Sequence, residues 1–85
     1  MKLRADDLTW REIDSELVVL DLRSSTYLTT NASATFLMKQ LAVEKSAAEL
    51  TDALMNQFAI SQTDAERDVR AFVDDLDRRG LLVHS

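Results

Sequence analysis

Eighty-five residues with no cysteine, no proline and one glycine leave room for one small core, and they exclude disulfides, thiolate metal sites and cysteine nucleophiles. Fifteen Asp and Glu against ten Lys and Arg give a net charge of −5; with no basic stripe to neutralise phosphates, DNA, RNA and anionic membranes are disfavoured as partners. The 46% hydrophobic content is patterned as in a folded chain. No apolar run nears a span of about 18 residues and MKLRADD has no apolar signal region, so the expected compartment is a reducing cytoplasm.

No linker, repeat or low-complexity tract divides the chain, and residues 1–85 are read as one domain. The stretch TWREIDSELVVLDLRSSTYLTTN, residues 9–31, reads as three short strands. Trp10-Arg11-Glu12-Ile13 alternates and stops at a tight turn, Asp14-Ser15. Glu16 to Arg23 follows, with Leu17-Val18-Val19-Leu20 apolar on both faces, as in a central strand covered on both sides or by its neighbours' long side chains. Ser24-Ser25 makes the second turn, and Thr26 to Thr30 is the third strand. This three-stranded antiparallel meander leaves its first and third strands as edges. Between Ser24 and Thr30 there is no Lys, Pro or Glu of the kind that protects an edge.

From Asn31 the apolar period becomes helical. Asn31 is a good N-cap, with Phe36, Leu37, Met38 and Leu41 on the buried side of helix one. Ser46-Ala-Ala-Glu49 is a capping box that opens helix two, whose apolar stripe is Leu50, Ala53, Leu54 and Phe58. Residues 59–62 read as a loop. A second capping box, Thr63-Asp-Ala-Glu66, opens helix three, which runs to Arg79 with Gly80 at C′. Ala65, Val69, Phe72, Val73 and Leu76 share one face of that helix. Leu81-Leu82-Val83 packs back or adds a short extended tail. The fold class is α+β.

No catalytic set can be assembled. The single histidine, His84, stands next to the last residue given, and the acidic pairs Asp6-Asp7 and Asp74-Asp75 point apart. Metal-ligand spacing is absent, and one glycine cannot make a phosphate loop. The chain is therefore expected to be no enzyme by itself, with no cofactor. An open strand edge beside an amphipathic helix is instead a docking groove for an extended peptide. Ser25, Thr26, Tyr27, Leu28 and Thr29 would pair with it. Asp68, Phe72, Asp75 and Arg79 would face it from helix three, with Phe72 and Tyr27 meeting its apolar anchors, while Val69, Val73 and Leu76 lean toward the sheet and the other helices.

Several segments, in order, resemble the PqqD-like family, the precursor-peptide recognition elements of ribosomally made, modified peptides. They are W-R-E-I-D at 10–14, V-V-L-D at 18–21, T-Y at 26–27 with Asn31 four further on, D-V-x-x-F-V-x-x-L at 68–76 and G-L-L at 80–82. The resemblance implies a winged-helix-like α+β domain that binds a leader segment as an added strand on the third strand, against the third helix. The length and the W-R-E-x-D opening look closest to the stand-alone leader-binding subunit of lasso-peptide biosynthesis. Its implied partners are the precursor's leader peptide, a transglutaminase-like protease subunit and an asparagine-synthetase-like cyclase. One departure is Thr30, where the family often carries an apolar residue. Two other readings of the family fold stand beside this one: a peptide chaperone for a radical-SAM enzyme, and an acidic winged-helix or dimerisation module. Asp64, Asp68, Asp74, Asp75 and Asp77 would repel DNA phosphates from helix three. A homodimer would pair two third strands.

Overall fold

The structure, a computed structural model, describes residues 1–84. In chain order it has β1 (Lys2–Leu3), β2 (Leu8–Ile13), β3 (Glu16–Asp21), β4 (Thr26–Thr29), α1 (Ala32–Gln40), α2 (Ala47–Phe58), α3 (Gln62–Arg78) and β5 (Leu82–Val83). Strands β2, β3 and β4 form the expected antiparallel meander, in that spatial order. Its first turn is set locally. Asp14 and Ser15 lie at φ 50° and 69°, the doubly left-handed geometry of a two-residue hairpin turn whose twist matches that of the strands. Ile13 and Glu16 close it. The second connection is longer than expected, because β3 ends at Asp21 and the Asp21 carboxylate holds the loop: it accepts from the Arg23 N–H and the Ser24 hydroxyl, each at 3.0 Å.

Asn31 caps α1 by accepting from the Ala34 N–H at 2.9 Å. The Ser46–Glu49 capping box is complete in both directions. The second box does not form. Helix α3 starts earlier, with Ser61 as its cap, accepting from the Asp64 N–H at 3.2 Å. Thr63 therefore lies inside the helix, and Glu66 takes a bond from the Gln62 side chain instead. At the other end Gly80 has φ 72°. The Gly80 N–H donates to Asp77 and the Leu81 N–H to Leu76, both at 3.0 Å. That pair of bonds is a Schellman motif, and it swings Leu81 into the core.

The expectation for 81–83 resolves into something the sequence did not reveal: β5 pairs antiparallel with β1 in a separate two-stranded sheet. The core joins Leu17 and Val19 of β3 to Leu37, Met38, Leu41, Leu50, Leu54, Ala65, Val69 and Leu76 of the helical half, with Leu3 and Leu81 between. Two expectations fail here. Phe58 is not in the buried stripe of α2; it is half-exposed, edge-on to Phe36 with ring centroids 5.8 Å apart, and Thr51 is buried instead, its hydroxyl bonded to the Ala47 carbonyl. Nor is β3 covered on both faces. Leu17, Val19 and Asp21 are buried while Leu20 is 39% exposed, because the helices cover only one side of the sheet.

Candidate functional site

Strand β4 pairs with β3 alone, so its other edge is open among the described residues. The Thr30 N–H donates to the Leu17 carbonyl at 3.1 Å, which sets the phase of the ladder. In an antiparallel pair hydrogen-bonded and non-bonded partners alternate. Leu28 and Thr26 therefore bond inward, to their partners Val19 and Asp21, while the N–H and C=O groups of Tyr27 and Thr29 point to the open edge. Side chains follow the same alternation. Thr26 and Leu28 share the face of buried Val19 and Asp21; Tyr27 and Thr29 share the face of Leu20 and Val18. Tyr27, at 70% exposure, thus contributes backbone to the edge, and its ring lies on the opposite face of the sheet from the helices.

The corner where β4 turns into α1 is fixed by Thr30. Its buried hydroxyl accepts from the Leu17 N–H at 3.0 Å and bonds the Thr35 hydroxyl at 2.7 Å. A polar residue is accommodated at this position because both of its neighbours are polar groups in need of a partner.

Seven of the nine expected site residues fall into two patches along α3 and β4. Thr26, Tyr27 and Leu28 abut Arg79 and Leu81 across a notch of only about 10 Å³. Asp68, Phe72 and Asp75 line a hollow of about 340 Å³, closed on its other side by Asn31, Ala34 and Leu37 at the start of α1. Thr29, the last residue of β4, and Ser25, at φ 57° in the loop before the strand, line neither patch. Val69 and Leu76 are buried, and Val73 lines a separate hollow between α2 and α3. The flank is less acidic than the sequence suggests. Asp75 accepts from Arg78 at 3.2 Å and from Arg79 at 3.1 Å, and Asp68 stands 3.7 Å from Arg67.

One constellation beside the notch escaped sequence reasoning. Arg4 forms an ion pair with Asp21 and donates to the Gly80 and Asp6 carbonyls, each at 3.0 Å. It thereby ties the first residues, the β3–β4 loop and the last turn of α3 together. Burial pushes the Asp21 carboxyl up, but the bonds from Arg4, the Arg23 N–H and the Ser24 hydroxyl together outweigh it and hold the group below its usual value. The sequence signal was an acid ending an apolar strand; its partner lies 17 residues away. Among the described residues, no group of three or more His, Cys, Asp or Glu is placed to hold a metal ion, and no helix is long and apolar enough to cross a membrane.

The family profile described as coenzyme PQQ synthesis protein D (PqqD) matches residues 16–82. No curated protein sequence matches the chain. Two solved structures are similar to it over nearly their whole length. The first is described as TbiB1 in complex with the TbiA(beta) leader peptide. It is 29% identical, with a TM-score of 0.87, over 100% of this chain and 98% of that one. The second, described as lasso peptide synthetase B1 complexed with the leader peptide, is 30% identical, with a TM-score of 0.81, over 98% and 96%.

Proposed function

The chain belongs to the PqqD family, and from that premise we propose that it binds the leader segment of a ribosomally made precursor peptide, without catalysing a reaction on it. The observation that carries the reading is the unpaired β4 edge, with two outward N–H and C=O pairs, whose Thr26–Leu28 stretch abuts Arg79 at the end of α3. An extended peptide on this edge pairs with Tyr27 and Thr29 and turns alternate side chains toward Phe72, Asp68 and Asp75. Main-chain bonds supply affinity and the hollow supplies specificity. The two leader-peptide complexes similar to this chain support the leader as partner, and the one described as a lasso peptide synthetase supports placing the chain in lasso-peptide maturation. There it delivers the precursor to a leader protease and a cyclase.

The direct test is a titration with a labelled leader peptide, followed by hydrogen exchange of the complex. Slowed exchange at the Tyr27 and Thr29 amides is the expected outcome. Tight binding with those two amides unprotected would place the peptide elsewhere on the molecule. Incubating the chain alone with full-length precursor should leave the precursor's mass unchanged, and a cleaved or cyclised product would overturn the non-catalytic role.

A further inference from the structure

The two walls of the proposed leader site belong to different halves of the molecule: β4 packs chiefly on β3, and α3 chiefly on α2. Apolar burial in the shared core brings the halves together, but it is non-directional and does not fix their spacing. Directional bonds do that here, and they run through one short segment, residues 4–7. The Arg4 N–H donates to the Leu81 carbonyl at 2.8 Å, and the Asp7 carbonyl accepts from the Leu22 N–H at 2.9 Å. Between these bonds the Arg4 guanidinium uses every nitrogen: Nε on the Asp6 carbonyl and Nη1 on the Gly80 carbonyl, each at 3.0 Å, and Nη2 on the Asp21 carboxylate. Asp21 passes the connection on. It accepts from the Ser24 hydroxyl, which bonds the Thr26 hydroxyl, and Thr26 is the first residue of β4, opposite Asp21 in the register. Both charged side chains are nearly covered, Arg4 12% and Asp21 9% exposed, so water does not readily take the place of either.

We propose that Arg4 is a positioning residue for leader binding: without touching the peptide it holds the start of β4, through Asp21, against the last turn of α3, so that edge and helix are spaced for an added strand before the leader arrives. The inference rests on the reading that β4 takes the leader, and goes beyond it in placing a determinant of affinity outside the groove. Arg4 lines neither of the hollows beside β4 and α3. The notch between Thr26–Leu28 and Arg79 holds only about 10 Å³, too little for any side chain, so the two walls already stand in contact at this end. Arginine suits the task because its planar fork serves a carboxylate and two carbonyls in one fixed geometry; lysine is a point charge on a flexible stem. Slack in this clamp lowers the fraction of molecules with the right spacing, and the apparent affinity falls by that fraction. The loss appears in the association rate, because the complex, once formed, is the same and dissociates as before.

The test compares Arg4→Ala, Arg4→Lys and the double variant Arg4→Met with Asp21→Asn, each checked for folding by circular dichroism and thermal melting. Arg4→Lys keeps the charge pair, and the double variant leaves no buried charge unpaired, so these two guard against a simple failure to fold. Association and dissociation rates of a labelled leader peptide are measured for each. The chain has no cysteine, so spin labels on Leu22→Cys, in the β3–β4 loop, and Arg78→Cys, at the end of α3, report the spacing without any peptide. Expected for Arg4→Ala are a broadened label distance and association about tenfold slower, equivalent to a competent fraction of about one tenth, with dissociation within about twofold of wild type. Arg4→Lys should fall between Arg4→Ala and wild type. The double variant should bind no more weakly than Arg4→Ala, because the two residues act as one unit. Folded variants with a lower Tm but unchanged association would overturn the proposal, since the clamp would then serve stability alone. Faster dissociation at unchanged association would also overturn it, since Arg4 would then touch the leader itself. If wild type failed to bind leader, the reading of β4 would fall, and the label distances would still decide the clamp: an unchanged distribution overturns it, and a broadened one upholds it.

Discussion

Asp21 is a buried carboxylate whose three bonding partners, Arg4, Arg23 and Ser24, come from two parts of the chain. Its pKa is depressed in the folded protein, so its contribution is present above the unfolded carboxylate value and is lost as pH falls through the folded one. Asp21→Asn should lower Tm at neutral pH. The gap to wild type should close on acidification, once the wild-type group is itself protonated. Thermal melts of both proteins at neutral pH and at points below pH 4 check this; a gap that persists unchanged at the lowest pH would mean the charge is not what stabilises. Ala59 presents the opposite case. It ends α2 at φ 53°, where a Cβ costs about 1–2 kcal/mol and glycine's extra unfolded-state freedom returns only part of it. Ala59→Gly is expected to stabilise by about 0.5–1 kcal/mol, a rise of a few degrees in Tm.

Among the elements, β4 and α3 carry the leader reading, and each can be tested by itself. Proline at Tyr27 deletes an outward donor on an edge strand, where proline is tolerated; proline at Leu28 deletes a bond to β3. Tyr27→Pro should stay folded and lose leader binding, while Leu28→Pro should destabilise the hairpin. Tyr27→Ala is the control. Since the ring is not in the groove, binding should change by no more than about threefold, short of an anchor's contribution. On α3, Phe72 is the proposed apolar anchor and Asp75 is already held by Arg78 and Arg79. Phe72→Ala should weaken binding by about thirtyfold, the equivalent of ~2 kcal/mol. Asp75→Asn should cost less and alter chiefly the salt dependence. Titrations at two salt concentrations compare them, and a folded Phe72→Ala that binds like wild type would displace the peptide from the α3 hollow.

For the molecule as a whole, binding to the folded state alone raises stability by mass action. A leader peptide at a hundred times its Kd should add about 2.7 kcal/mol, which for a domain of this size raises Tm by about 10 °C or more. The rise should scale with peptide concentration. It should vanish for a scrambled peptide of the same composition, because backbone pairing alone does not fill the hollow.

The meander, the three helices, the Asn31 and Ser46 caps and the Gly80 stop were all legible along the chain, since helix and cap bonds lie within about five residues and the hairpin pairings start from a short turn and reach no further than Leu8 with Asp21. The edge status of β4 was legible too, because in a meander of three the third strand has one neighbour. What the sequence could not order was competition between equivalent local signals: Ser61 and Thr63 are both sound caps, and packing of α3 chose the earlier. Pairings of high sequence separation lay out of reach for the same reason, among them β1 with β5 and Arg4 with Asp21, since no local pattern marks a partner. An open strand edge beside an amphipathic helix suggested that Tyr27 and Phe72 share one groove; only the register of β4 on β3, set by the Thr30 bond to Leu17, put the Tyr27 ring on the far face. The tertiary structure also decided which side of β3 is covered. Leu17 and Val19 are chemically no different from Val18 and Leu20, and it is the placement of the helices that buries the first pair and leaves the second to solvent.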